Sequence, residues 1–253
     1  MQVVIGDLAL EAAWVATAVP DRPSIVLLHE GLGSVAMWKS FPAALAERTG
    51  CGVFAYSRAG HGRSAPAALP REPDYLEREA IEVLPDVLAA AGIERPILFG
   101  HSDGGSIALA FAATYPEALS GLILEAPHVF VEDLSVESIA ATRTTFPTFR
   151  ERLARYHDDV DATFRGWNDI WLDPRFRGWS IVDWLARIRV PVLAIQGRDD
   201  EYGTLAQLDA IEANIPGARR LVIDRCGHSP HRDAEAAVLA AAAAFVDSLP
   251  AST

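Results

Sequence analysis

Pro96-Ile97-Leu98-Phe99-Gly100-His101-Ser102-Asp103-Gly104-Gly105, running into the apolar stretch 106–113, decides the fold class. The short aliphatic run reads as a buried strand, and the alanine- and leucine-rich run after it reads as a helix. Between them, Gly100 to Gly104 spell G-x-S-x-G, a motif that carries meaning when a strand precedes it and a helix follows. Such a turn holds Ser102 in a strained backbone so that its hydroxyl projects above the sheet edge. The flanking glycines are needed because a Cβ there would strike the neighbouring strand or helix. The helix N-terminus beneath favours developing negative charge.

The same rhythm runs outward in both directions. Residues 24–29, 52–56, 96–100, 119–125, 190–196 and 219–224 are short and rich in Val, Ile and Leu, as strands buried on both faces of a parallel sheet must be. Helical runs lie between them at 41–49, 75–91, 102–115, 205–214 and 233–249, with Pro85 expected to kink or split the second. Residues 3–16 read as a hairpin turning near Gly6-Asp7. The pattern predicts an α/β protein: a mostly parallel central sheet with helices on both faces.

One stretch breaks the rhythm. From 128 to 186 there is no buried-strand run, while aromatic residues crowd in, Trp167 and Trp171 among them at a spacing of four. If 160–172 is helical, those two share a face. Large aromatics there can simply pack an insertion onto the core, or form the inner face of a helical lid over an apolar pocket. The expected organisation is a core of 1–127 and 187–253 with a helical cap at 128–186.

A serine nucleophile needs a base and the base needs a carboxylate, and α/β sheets present such groups after the C-terminal ends of their strands. Two later strands end suitably, one in Gly197-Arg198-Asp199-Asp200-Glu201 and the other in Arg225-Cys226-Gly227-His228. The chain order Ser102, Asp200, His228 resembles that of the α/β-hydrolase fold, in its capped, single-domain bacterial form. Two further segments carry the likeness. Leu28-His29-Glu30-Gly31-Leu32-Gly33-Ser34, with Trp38 following, is similar to the family's H-G-x-G oxyanion loop. Tyr56-Ser57-Arg58-Ala59-Gly60-His61-Gly62-Arg63-Ser64 is similar to its D-x-R-G-x-G-x-S segment. The four motifs stand in the family order and span nearly the whole chain. Ser57 stands where the family usually has Asp, and Glu30 where it has Gly. The resemblance implies an oxyanion hole from the N–H of Asp103 and that of Gly31, or of Leu32 if the loop is shifted by one. Family spacing from Gly197 selects Asp200 over Asp199 and Glu201.

The remaining candidates divide between chemistry and structure. His128, just after a strand end, is placed to reach a pocket or to cap the chain locally, and Trp167 and Trp171 are the pocket candidates of the cap. The Asp103 side chain faces either the pocket mouth or the helix it begins. His29 and His101 read as structural hydrogen-bonders, His61 and His157 as exposed. His228 and His231 are three apart, but Pro230 intervenes and no third metal ligand is evident. Cys226 reads as a packing residue without a base of its own. The glycine-rich segment at 60–62 lacks the lysine and spacing of a nucleotide cradle.

Composition narrows the function classes. Half of the 253 residues are hydrophobic and 22% are charged, which excludes a disordered chain. With 22 Lys+Arg against 34 Asp+Glu the net charge is −12, opposed to nucleic-acid binding and to docking on anionic lipid. Two cysteines, no signal-like start and no apolar run long enough to span a bilayer point to a cytoplasmic protein, monomer or small homo-oligomer. The expected activity is hydrolysis of a small, largely apolar carboxylic ester or lactone through an acyl-serine, with no metal or organic cofactor. The alternatives are a carbon–carbon bond hydrolase or lyase using the same three residues, and a silent small-molecule binder. Epoxide and haloalkane hydrolysis are disfavoured because such relatives carry Asp at the position of Ser102.

Overall fold

In the computed structural model, which describes residues 1–16, 19 and 22–250, eight strands of the described chain form one sheet. The first two, β1 (Gln2–Ile5) and β2 (Leu8–Val15), are the expected hairpin, turning through Gly6-Asp7. After β3 (Ile25–Leu28) come α1 (Phe41–Thr49) and β4 (Val53–Tyr56), and β2 pairs antiparallel with β4. The run 75–91 forms α2 (Tyr75–Arg78), a π-helical turn over Glu79–Val83, and α3 (Leu84–Ala91). Pro85 lies in the first turn of α3, so the helix absorbs it by widening just before the residue whose N–H is missing.

Next come β5 (Ile97–His101), α4 (Asp103–Thr114) and β6 (Gly121–Glu125). The chain then leaves the sheet for α5 (Asp133–Leu153), α6 (Val160–Trp171) and α7 (Val182–Leu185). It returns with β7 (Val192–Gly197), α8 (Ala206–Asn214), β8 (Arg219–Ile223), α9 (Pro230–Asp233) and α10 (Glu235–Asp247). The strand order is β1-β2-β4-β3-β5-β6-β7-β8, parallel from β4 to β8. Among the described residues, no helix is long and apolar enough to cross a membrane.

The pleat sorts the core into two layers. Ile25, Leu27, Ile97, Phe99, Ile123 and Ile195 pack on the side of α1 and α10, while Val26, Leu28, Leu98, Leu122 and Leu124 pack on the side of α4. Each fully buried aliphatic or aromatic side chain contributes about 1.5–3 kcal/mol, which is why these short strands are apolar end to end. Connections run in opposite directions from β3, to β4 on one side and, later in the chain, to β5 on the other. This reversal opens a crevice above the C-terminal ends of β3 and β5, where an open α/β sheet binds its ligands.

Candidate active site

Ser102 stands between β5 and α4 at that crevice with φ 53° and ψ −118°, a conformation that costs an L-residue about 1–3 kcal/mol. Its surroundings over-determine it. The Ser102 N–H donates to the Glu125 carbonyl at 2.9 Å, and its own carbonyl accepts from Gly105 and Ser106 at 2.8 and 3.1 Å. A Cβ on Gly100 would run into the Gly104 carbonyl, and one on Gly104 into the Leu28 carbonyl. The glycines are therefore demanded by close approach of backbone to backbone.

The two loops beyond β7 and β8 bring a carboxylate and an imidazole to this serine. His228 Nε2 lies 2.9 Å from Ser102 Oγ, and His228 Nδ1 lies 2.8 Å from Asp200 Oδ1. Because a carboxylate only accepts, Nδ1 carries the proton and Nε2 presents its lone pair to the serine hydroxyl. Asp200 also accepts from the N–H groups of Tyr202 (2.9 Å) and Gly203 (3.3 Å) and from Gln196 Nε2 (3.2 Å). Burial alone would raise its carboxyl, but the His228 hydrogen bond and charge, with the Tyr202 N–H, outweigh it and hold the group below the usual carboxylate range. Of the neighbouring acids, Glu201 accepts the His228 backbone N–H at 3.2 Å rather than the ring. The Asp199 N–H donates to the Cys226 carbonyl.

The loop after β3 is pinned from behind. His29 Nδ1–H donates to the Glu30 carbonyl at 2.7 Å, and the Arg58 guanidinium donates to the carbonyls of His29 and Glu30. Gly31 and Leu32 border the same cavity as Ser102, and the Trp167 indole lies so close over Gly31 that a Cβ there would overlap it. Glu30, the unusual residue of this loop, sits 3.6 Å from both His101 Nδ1 and Arg232. Burial would raise its carboxyl, yet the nearby His101 ring, followed by the charge of Arg232, holds it well below the usual range. Ser57, the other departure from the family pattern, donates to Glu11 and accepts the Val35 N–H.

The backbone of Asp103 opens α4, but its side chain neither reaches a pocket mouth nor caps the helix. It is buried, accepting from Tyr75 Oη at 2.9 Å and Trp171 Nε1 at 3.3 Å, with Arg58 at 3.6 Å. This network fixes the edge of Trp171. The cavity above Ser102 holds about 660 Å³ and is lined by His128, Phe149, Trp167, Trp171 and Tyr202, among others. Trp167 and Trp171 share the inward face of α6, as their spacing predicts, and His128 packs 5.0 Å from the Trp171 ring.

Two histidines depart from their sequence reading. His61 and His157 are buried, not exposed. His157 accepts the Gly62 N–H at 2.9 Å and donates to the Leu32 carbonyl at 2.9 Å, so it ties the segment between β6 and β7 to both glycine-bearing loops. His231 is buried beneath the site. It bonds Glu125 at 2.7 Å, and with His101 these three bring their ligand-type atoms within 4.8 Å of one another. His101 in turn donates to the His228 carbonyl at 2.7 Å. Sequence reasoning overlooked Glu125, although a carboxylate ending an all-apolar strand was a visible signal. It also overlooked Tyr75 and Tyr202, for which no local pattern existed.

Residues 25–242 match the model of the alpha/beta hydrolase family. The human (lyso)-N-acylphosphatidylethanolamine lipase is 33% identical over 121 residues, 46% of this chain and 34% of that protein. The match thus spans only about a third of that relative's length. The 2-hydroxy-6-oxononadienedioate/2-hydroxy-6-oxononatrienedioate hydrolase of Comamonas testosteroni is 24% identical over 237 residues, 82% of each chain. Among solved structures, proline iminopeptidase of Mycobacterium smegmatis superposes with a TM-score of 0.79 at 22% identity, over 98% of this chain and 97% of that one. That likeness is one of fold.

Proposed function

This chain belongs to the alpha/beta hydrolase family, and we propose that within it the protein is a serine hydrolase cleaving a small, largely apolar carboxylic ester or lactone. One observation carries the reading. The hydrogen-bonded chain Ser102–His228–Asp200, at 2.9 and 2.8 Å, opens into an aromatic cavity large enough for a small acyl compound. In the reaction His228 Nε2 takes the Ser102 proton as Oγ attacks the carbonyl carbon, and Asp200 holds the imidazole tautomer and stabilises the imidazolium. The N–H of Asp103 and that of Gly31 or Leu32 receive the developing oxyanion, each such donor contributing roughly 10²–10³ in rate. The imidazolium protonates the leaving oxygen, the acyl-serine forms, and a water deprotonated by His228 releases the acid. Residues 128–186 act as the cap that shields these steps, with His128, Trp167 and Trp171 forming its contact with substrate.

A second reading has a specific support. The Comamonas relative that aligns over four-fifths of both chains is named as the hydrolase of a 2-hydroxy-6-oxo dienedioate, a compound with no ester bond, so its hydrolysis breaks a carbon–carbon bond, and one fold hosts many chemistries. Hydrolysis of p-nitrophenyl esters from acetyl to octanoyl separates the two. The ester reading expects turnover with a chain-length optimum and a loss on the order of 10⁴–10⁶ in Ser102→Ala. A folded protein that cleaves none of the series sinks the general ester reading and leaves a narrow lactonase, the carbon–carbon hydrolase or a silent binder.

A further inference from the structure

Asp103 directly follows Ser102, and its side chain is buried without capping the helix it opens. A carboxylate in such a place is costly unless hydrogen bonds hold it. The bonds it receives come from one partner in α2 and one in α6. Trp171 Nε1–H donates to Asp103 Oδ1 at 3.3 Å and to Tyr75 Oη at 3.1 Å. Tyr75 Oη gives its own proton to Asp103 Oδ2 at 2.9 Å, so both donors end on one carboxylate. Arg58, at 3.6 Å, balances its charge. Trp171 borders the catalytic cavity, and its ring meets those of His128 and Phe176 edge to face at 5.0 and 5.2 Å. The His128 ring is in turn 5.9 Å from that of His228.

The backbone around Trp171 is anchored by other bonds. Trp179 Nε1–H donates to Glu77 at 2.9 Å, and His157 ties the same segment to Gly62 and Leu32. What the Asp103 carboxylate adds is therefore the orientation of one indole ring, not the attachment of the segment that carries it. We propose that Asp103 is a positioning residue that sets the acyl length the site accepts: by fixing the polar edge of Trp171, it stops this wall of the cavity from yielding to a longer chain. The proposal rests on the ester reading above and adds to it how acyl length is selected.

The readout is the ratio of kcat/KM for p-nitrophenyl octanoate to that for p-nitrophenyl butyrate. Asp103→Leu removes both acceptors at similar volume. The ratio is expected to rise about tenfold, since a single methylene admitted or refused by an apolar pocket changes kcat/KM roughly 10–200-fold. KM for the octanoate is expected to carry the change, whereas a general loosening of the fold lowers kcat/KM for both esters alike. Asp103→Asn keeps an oxygen for Trp171 but removes the charge facing Arg58, and is expected to keep most of the wild-type ratio. Should Asp103→Leu not fold, benzothienylalanine at position 171 keeps the ring and removes its N–H, and the same rise is expected. A ratio unchanged when the bond to Trp171 is broken overturns the proposal and leaves the ester reading standing. A ratio that rises as far in Asp103→Asn overturns it too, because the charge and not that bond is then the cause. So does a wild-type Trp171 indole N–H that exchanges with solvent as fast as that of the exposed Trp14. If neither ester is cleaved, the ester reading fails, and binding of free acetate, butyrate and octanoate, followed by the Trp171 indole resonance in ¹⁵N-labelled protein, decides this one. Asp103→Leu is then expected to shift the preference toward octanoate; the same preference in both proteins, or no response to any acid, overturns it.

Discussion

Two histidine–carboxylate pairs lie three residues apart in this chain, and they are almost identical in geometry. His228 meets Asp200 at 2.8 Å, and His231 meets Glu125 at 2.7 Å. What differs is the other side of each ring. The His228 side chain is 13% exposed, and Ser102 sits on its free nitrogen at the cavity floor. The His231 side chain is 2% exposed and its ring is packed against Trp38, Phe41 and His101. On the proposed reading, a carboxylate that orients an imidazole is not chemistry by itself; a nucleophile and access make it so.

The sharpest way to break this comparison is to remove each acid in turn. Asp200→Asn leaves the pocket intact but spoils the imidazole tautomer, and a loss of roughly 10⁴ in kcat is expected. Glu125→Met strands a buried imidazole, so it is expected to cost about 3–5 kcal/mol in urea unfolding while folded molecules keep activity within about tenfold. The double variant Glu125→Met with His231→Leu regains most of that stability, because two apolar groups then replace the pair. Activity lost from Glu125→Met as fully as from Asp200→Asn, at equal fractions folded, would erase the distinction between the two pairs.

What could be read without coordinates follows from the same contrast. The strands, the turn at Ser102 and the loops ending in Asp200 and His228 are legible because a sheet buried on both faces forces apolar runs, and close backbone contacts force Gly100 and Gly104. The sealed groups are not legible. His61 and His157 look like ordinary surface histidines because their partners, such as the Gly31 carbonyl for His61 and the Leu32 carbonyl for His157, are backbone atoms with no signature in the sequence. Asp103 is misread for a related reason, since Tyr75 and Trp171 come from elements 28 and 68 residues away.

Sealed histidines predict a pH effect of intermediate size. His29 and His157 are each satisfied as neutral rings, one nitrogen accepting a backbone N–H and the other donating to a carbonyl. Burial lowers both, His29 strongly, with Arg58 adding to it. As pH falls below about 6.5 the unfolded chain takes up these protons and the folded chain does not, so stability drops by up to about 1.4 kcal/mol per pH unit per group. His101 works in the opposite direction. Burial would lower it, but the nearby Glu30 carboxylate, with Glu125 and the hydrogen bond to the His228 carbonyl, raises it, so its contribution is complete below about 6.5 and lost as pH rises through its raised value. His61 and His128 are lowered by burial in the same way, so four lowered rings against one raised ring leave a net loss, measurable as a falling urea midpoint between about pH 7 and 5.5. His157→Gln is expected to make that fall shallower; an unchanged slope would mean that His157 is not held neutral.

The smallest effect is expected at Cys226, the residue that by type alone competes with Ser102 as a nucleophile. It lies two residues before His228, yet it is buried, and burial pushes its thiol up to about 11, with Asp233 and Glu125 adding in the same direction. At pH 8 about one molecule in a thousand then carries the thiolate, the only reactive form. Iodoacetamide at pH 8 is therefore expected to leave both Cys226 and the activity intact over a period that consumes an exposed thiol, and Cys226→Ala is expected to change kcat/KM less than about threefold. Rapid alkylation of Cys226 with parallel loss of activity would place a second accessible nucleophile in the site. It would show that proximity to the histidine loop, and not access to the cavity, decides which side chains here react.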